Sequence, residues 1–368
     1  MPLVDGNWLM LDSGAFSVWT QGASIDIEQY IAFCKAHPGV NYYVNLDVIA
    51  GVPTDPKSKT PQAMRDACEQ GYRNYLRMIE ELPQEKVIPV FHKSEDFIWL
   101  ERYLELGASY IGIGQIHVFG GAYSKTYQPG DCEAFQLEWL REIGTRLFDS
   151  AGRPIVKTHG FAVTSFRLMQ QFPWHSVDSA SWVRQSAYGT VYVPKKRGGE
   201  FVYDEPPRPV NMSPKSPSKA TRNQNICNLS PHYKAEVEEY LSSIRMKLGQ
   251  FRIDDVESGY KLADGEIWYD KGKTQVIRPE SPGVVTSHQH RFRANAIFLH
   301  RVNAALALDH IYFAGAEGSV DDSTEYRLRN RLMSFHKIGM CSDRTKGRAC
   351  FNTWETLTDA YQQSLASV

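Results

Sequence analysis

Two aspartates sit in similar settings far apart in the chain. Asp12 ends an apolar run and is followed by Ser13-Gly14-Ala15-Phe16, and Asp178 follows Ser176-Val177 and precedes Ser179-Ala180-Ser181-Trp182. Either one alone also fits a turn or a helix cap. As a pair they are the two carboxylates that chemistry at an anomeric carbon uses, one as nucleophile and one as acid/base. Small residues after Asp12, Ser13 among them, leave room for a flat ligand near the backbone, and the Phe16 ring could face it. Further polar residues end other apolar runs: Asp47 in Asn45-Leu46-Asp47, His92 in Val90-Phe91-His92, Gln115 in Ile113-Gly114-Gln115, and His159 in Thr158-His159-Gly160.

The elements that must position these groups alternate. Apolar runs at Trp8–Leu11, Tyr42–Ile49, Val87–Phe91, Tyr110–Ile116, Ile155–Thr158 and Ser176–Val177 read as strands buried on both faces. Between them, Asp26–His37, Pro61–Leu82, Asp96–Leu106, Cys132–Phe148 and Ser165–Phe172 read as amphipathic helices. Strand–helix repeats of this kind give an α/β fold with a parallel sheet. No GxGxxG follows the first strand and no GxxxxGK[ST] occurs, which weakens the nucleotide-binding open sheets. Polar residues at successive strand ends instead favour a (β/α)8 TIM-type barrel, whose strand ends meet at one mouth.

After Trp182 the rhythm breaks. Ala187–Val193 and Phe201–Tyr203 flank Lys195-Lys196-Arg197-Gly198-Gly199, which reads as a hairpin with a basic tip. Residues 204–231 read as a long surface loop, Pro231–Leu248 as a helix, and Trp268–Ile277 as a second hairpin. Arg293–Leu308, the strand His310–Ala314 and the helix Ser323–His336 read as the closing unit. The expectation is one catalytic domain over 1–368, with insertions in its C-terminal half at about 187–231 and about 249–290.

The 368 residues carry 41 basic and 42 acidic side chains, with 42% hydrophobic residues. That balance suits a soluble globular protein and excludes global disorder. No run of about 18 apolar residues exists, so no membrane span is expected. Met1–Trp19 lacks the layout of a signal peptide, and the six cysteines form no CxxC, which suits a reducing cytoplasm. Charge is uneven: residues 1–180 hold 15 basic and 21 acidic side chains, and the remainder holds 26 and 21. A polyanion should therefore meet the second half first. Residues 195–222 contain seven basic side chains against three acidic ones, and Lys195, Lys196, Arg197, Lys215, Lys219 and Arg222 are the expected phosphate contacts.

The motif Leu11-Asp12-Ser13-Gly14-Ala15-Phe16 resembles the Asp-Ser-Gly-Gly-aromatic motif of the tRNA-guanine transglycosylases. With Val177-Asp178-Ser179-Ala180-Ser181-Trp182, the chain looks more like their DNA-modifying relatives of phages and some bacteria, over roughly residues 8–185. The resemblance implies exchange of guanine in DNA for a 7-deazaguanine through a covalent aspartyl–glycosyl intermediate. It implies Asp178 as nucleophile, Asp12 as proton manager, and Asp47 as acceptor for the purine N1–H and 2-amino group. Phe16 would stack on the base, and His92 stands where the family has a base-contacting glutamine. Gly114-Gln115 matches a pair whose backbone amide donates to the purine O6, and Gly160 matches a glycine opposite the aromatic, with His159 replacing an apolar residue.

The chain departs from the family in three places. The tRNA enzymes carry CxCxxC and a His after the nucleophile; here only Cys227 and His232 stand in that region, with His288 and His290 downstream. Ligand spacing for structural zinc is missing, so no metal and no other cofactor is expected. His92 and His159 alter the base pocket, and no tRNA-anticodon surface is recognisable. The expected partners are DNA and a free 7-deazaguanine base, in the cytoplasm (a host's, if phage-encoded). The same chemistry on tRNA, a glycosidic-bond hydrolase and a non-catalytic polynucleotide-binding protein are the alternatives. Oligomeric state is not legible.

Overall fold

A computed structural model describes residues 9–93, 95–114, 129–150, 153–163, 165–214, 224–308 and 331–332. The fold is mixed α/β with parallel sheets. The chain divides into two compact units, one running to Ser179 and resumed at Leu306, the other beginning at Ala180 and running to Ala305.

The first unit alternates strands and helices: β1 (Met10–Leu11), α1 (Ala15–Gln21), α2 (Ile27–Ala36), β2 (Tyr42–Val44), α3 (Pro61–Glu81), β3 (Val87–Ile88), β4 (Val90–His92), α4 (Phe97–Glu105), β5 (Tyr110–Gly114), α5 (Pro129–Leu147), β6 (Lys157–Gly160), α6 (Phe166–Gln171) and β7 (Ser176–Val177). Side chains cap most of these helices. Asp26 accepts from the Gln29 amide, Thr60 from Ala63 just before Pro61, Asp96 from Ile98, and Ser165 from Leu168.

Among the described residues every ladder between named strands of this unit is parallel. The order is β1-β2-β3 in one ladder and β4-β5-β6-β7 in the next. Val87–His92 is one run broken at Pro89, with Val87–Ile88 paired to β2 and Val90–His92 to β5. Pro89 has no N–H for a ladder, but its carbonyl accepts from the Gly112 amide at 2.8 Å. Spatial order thus follows chain order without reversal. The strand β15 (Arg331–Leu332) adds parallel to β7, where the sequence reading placed a helix. Pairing with Ser176 and Val177 gives those backbone groups ladder partners in place of helical ones. The expected strand His310–Ala314 lies outside the described residues.

Five successive strands each give one side chain to a buried cluster: Met10, Val44, Ile88, Val90 and Tyr110. Each such side chain contributes about 1.5–3 kcal/mol by leaving water.

The second unit opens with α7 (Ser181–Ala187) and β8 (Thr190–Val193), then β9 (Lys195–Arg197), β10 (Glu200–Val202) and β11 (Arg208–Asn211). It continues with α8 (Pro231–Ser243), β12 (Gln250–Asp255), β13 (Ile267–Trp268), β14 (Gln275–Ser281) and α9 (His288–Leu308). Two details correct the sequence reading. Lys195–Arg197 is itself a strand, paired antiparallel with Glu200–Val202, and the tip is Gly198-Gly199 with φ of 57° and 93°. Two left-handed residues make the tight hairpin that glycine favours. Thr190–Val193 pairs with Arg208–Asn211 instead of Phe201–Tyr203, so part of the expected loop 204–231 is ladder. Buried Val191, Val193 and Val210 bring that ladder into a core with Val237, Tyr240 and Leu241 of α8.

Candidate active site

The candidate site is built where the parallel strands of the first unit end. Asp12 directly follows β1, Asp47 lies three residues past β2, His92 and Gly114 close β4 and β5, His159-Gly160 closes β6, and Asp178 directly follows β7. In a parallel ladder all of these termini lie at one edge.

Asp47 heads the first cluster. Asn45 and Asn74 hold its approach: the Asn45 side-chain amide donates to the Gly71 carbonyl at 2.9 Å and that of Asn74 to the Leu46 carbonyl at 2.7 Å. The Ser13 hydroxyl, 1% exposed, donates to Asp47 Oδ1 at 3.3 Å. His92 Nε2 lies 2.8 Å from Asp47 Oδ2, and His92 Nδ1 lies 2.7 Å from Glu95 Oε1. The His92 backbone amide donates to the other Glu95 oxygen at 3.1 Å. Burial pulls the His92 imidazole down, but the Glu95 and Asp47 carboxylates overcome it and hold the ring up at about 10. His92 therefore carries its charge at neutral pH, with both N–H groups taken.

Gly114 makes room for that ring. A Cβ there would stand 2.7 Å from His92 Cδ2. The glycine is explained by the neighbouring strand without any ligand. Its carbonyl accepts from the Lys93 amide at 3.2 Å.

Asp178 heads the second cluster and is 6% exposed. Its Oδ1 accepts from the Ala162 amide at 2.9 Å. Ala162 takes φ of 60° to present that amide. The left-handed region costs an alanine roughly 1–2 kcal/mol, offset here by a hydrogen bond to a carboxylate. His159 Nε2 lies 3.5 Å from the same oxygen. On the other side of the ring, His159 Nδ1 meets the Ser176 hydroxyl at 2.6 Å, and Ser176 meets the Tyr110 hydroxyl. Burial, before any other cause, pushes the Tyr110 phenol up, so it keeps its proton. The Tyr110 hydroxyl, the Ser176 hydroxyl, the His159 ring and the Asp178 carboxylate form one continuous buried chain of contacts. Ser176, His159 and Asp178 thus have the residue types of a hydrolase triad. Ser176 is fully buried and occupied by Tyr110, so it orders the imidazole and has no access to a substrate.

The two clusters occupy neighbouring strand ends, since β5 pairs with β4 on one side and β6 on the other. Asp12 joins the first cluster's surroundings: both it and Asp47 act electrostatically on the buried Tyr30 phenol, which burial above all pushes up. The Tyr30 hydroxyl donates to the Val44 carbonyl at 2.7 Å. Phe16 is 52% exposed on α1 and stands 5.8 Å from the Trp19 ring, so it presents a face to solvent and is no core residue. Gly160 gives way to Trp174 and Val163, since a Cβ there would lie 2.8 Å from Val163 Cγ2. Gln115 lies outside the described residues.

In the second unit the expected phosphate contacts carry partners. Lys195 and Arg197 share Glu205 at 3.2 and 3.0 Å, Lys196 pairs with Glu239 of α8 at 2.6 Å, and Arg208 pairs with Glu236 at 3.0 Å. Residues 195–222 thus borrow two acids from α8 that a count along the sequence leaves out. Lys215, Lys219 and Arg222 lie outside the described residues. Among the described residues no group of three or more His, Cys, Asp or Glu is placed to hold a metal, and no helix is long and apolar enough to cross a membrane.

No family model matches this chain, and no curated protein matches it in sequence. The sequence reading missed Glu95, Ser176, Tyr110 and Asn74. Glu95 carried a legible signal, three residues after His92 across a strand-to-helix turn. Asn74 carried none, because only the packing of α3 brings it to Leu46.

Proposed function

We propose that this chain exchanges a nucleobase in a polynucleotide, replacing guanine in DNA by a 7-deazaguanine, on a (β/α)8 TIM-type barrel. One observation carries the reading: Asp12, Asp47 and Asp178 all stand just past the same ends of parallel strands that follow one another in chain order. Strand order without reversal, and a buried cluster fed by five successive strands, support the barrel.

In this reading the target guanosine leaves the stack to reach the strand ends. Asp178 attacks C1′ through an oxocarbenium-like transition state, the N9–C1′ bond breaks, and guanine leaves as Asp12 supplies its proton. Asp178 and C1′ then share a covalent bond. The incoming deazaguanine gives its N9 proton to Asp12, its N9 attacks C1′, and the aspartyl bond breaks with retention. Asp47 accepts from N1–H and the 2-amino group. Phe16 offers its exposed face to the base. His159 and the Ala162 amide orient Asp178 and stabilise it as a carboxylate leaving group. DNA phosphates meet the second unit, where Lys195, Lys196 and Arg197 must trade carboxylate partners for phosphate.

The test is nucleoside analysis of DNA and of tRNA after incubation with the protein and a panel of 7-deazaguanines. A modified deoxynucleoside is the expected product. A modified ribonucleoside would transfer the reading to tRNA. Free sugar ends without base uptake would make the chain a hydrolase, and binding without any product would make it a non-catalytic binder.

A further inference from the structure

Glu95 is not a strand-end residue and no part of the reaction above uses it. It nevertheless spends both carboxylate oxygens on one residue, His92: Oε1 on the ring at 2.7 Å and Oε2 on the backbone amide at 3.1 Å. The far side of the ring meets Asp47 at 2.8 Å. All three side chains are nearly buried, at 7% exposure for His92 and 11% for each acid. A cation between two carboxylates in such surroundings fixes the orientation of both.

We propose that Glu95 is a positioning residue for Asp47 and thereby a specificity determinant. The Glu95–His92–Asp47 relay fixes the orientation of one carboxylate at the strand ends and selects a planar ligand edge carrying two adjacent N–H donors. That the edge belongs to guanine or a deazaguanine rests on the base-exchange reading; the relay itself does not.

Three observations support the assignment. His92 has no N–H left to offer a ligand, so it acts through Asp47. Among the described residues each Asp47 oxygen has one protein donor, Ser13 on Oδ1 and His92 on Oδ2, and a carboxylate oxygen accepts two. One acceptor site per oxygen is left, side by side, which matches two neighbouring donors and rejects an edge that pairs a donor with an acceptor. Gly114 leaves the space the ring occupies. Two further titratable groups that face the relay add no charge to it. Cys68 on α3 lies against Glu95, with its thiol pushed up to about 12 by burial first and Glu95 second, so it stays neutral. Tyr103 on α4 is raised by burial, Glu95 and Asp47, and stays neutral too.

The test uses the full chain. At about pH 8, where an ordinary histidine is mostly neutral, side-chain nitrogen NMR should show both His92 nitrogens protonated, the signal being assigned with His92→Gln. In Glu95→Gln one nitrogen should lose its proton. Guanine affinity by calorimetry should be flat in the wild type from about pH 6 to pH 8. In Glu95→Gln it should fall about tenfold or more, the loss of one charge-assisted hydrogen bond, and fall further as pH rises. Adenine should bind to neither protein. A wild-type His92 with one bare nitrogen overturns the relay, and this measurement needs no variant to fold. Unchanged guanine affinity in folded Glu95→Gln overturns the positioning role. Doubly protonated His92 in a wild type that binds neither guanine nor a 7-deazaguanine leaves the relay standing, defeats the base-exchange reading and overturns the selectivity assigned to Glu95.

Discussion

Replacing His92 with glutamine should change how stability depends on pH, and the size follows from the site. The ring is held at about 10 by Glu95 and Asp47, against about 6.5 in an unfolded chain. Between those values the folded protein binds a proton that the unfolded chain has released. A raised histidine therefore contributes stability that is full below about pH 6.5 and is lost as pH rises through about 10. The slope is about 1.4 kcal/mol per pH unit, and the whole window is worth on the order of 3–5 kcal/mol. His92→Gln removes this term and leaves lysines and tyrosines elsewhere unchanged. Urea unfolding of both proteins at about pH 6, 7.5 and 9 isolates it as a difference. The wild type should lead by several kcal/mol at the lowest pH, and the gap should narrow by about 2 kcal/mol between pH 7.5 and 9. A gap constant to within about 0.5 kcal/mol over that range would mean that His92 is neutral in the fold, and the reasoning from its two carboxylates would be refuted.

Ser176→Ala removes the hydroxyl that joins Tyr110 to His159, both buried; each partner left unsatisfied costs about 1–3 kcal/mol, so thermal unfolding should show a clear drop that Tyr110→Phe alone does not reach. Gly114→Ala places a Cβ 2.7 Å from the His92 ring and should cost about 1–3 kcal/mol by overpacking; wild-type stability would show that the ring has room to move. Replacing Lys195, Lys196 and Arg197 with alanine should weaken DNA binding without sequence preference and flatten its salt dependence. Because each side chain must first leave Glu205 or Glu239, the slope should fall by less than the roughly 0.9 per contact of a free cation. An unaltered slope and affinity would place the strand elsewhere.

Most strands of the first unit were legible as short apolar runs, and α2, α3, α4 and α6 from the capping side chain before each of them. Thr60-Pro61 and Asp96 announced α3 and α4 to within a residue. α1 was not legible, since its seven residues, Ala15–Gln21, bury no side chain and begin at a glycine in the left-handed region. The basic tip became a strand because charge marks solvent exposure and says nothing of pairing; the two glycines beside it marked the turn. Ion pairs across α8 escaped for the same reason that Asn74 did, being set by packing between distant segments. At the site, strand-end position was enough to single out Asp12, Asp47, His92 and Asp178. What surrounds each of them needed coordinates. His92 has a different meaning between two carboxylates from the one it has beside a ligand.

The central claim is that Asp178 becomes covalently joined to a sugar carbon during base exchange. Duplex DNA incubated with radiolabelled guanine, with wild-type protein and with Asp178→Asn, tests it most directly, with denaturing mass spectrometry of the protein taken at early times. The wild type should incorporate label and show a DNA adduct on the peptide that contains Asp178. The variant should bind DNA and form no adduct, with less than about a tenth of wild-type turnover, since a single decade is only ~1.4 kcal/mol of barrier. Label incorporated by Asp178→Asn at close to the wild-type rate, or an adduct on another residue, would contradict the account.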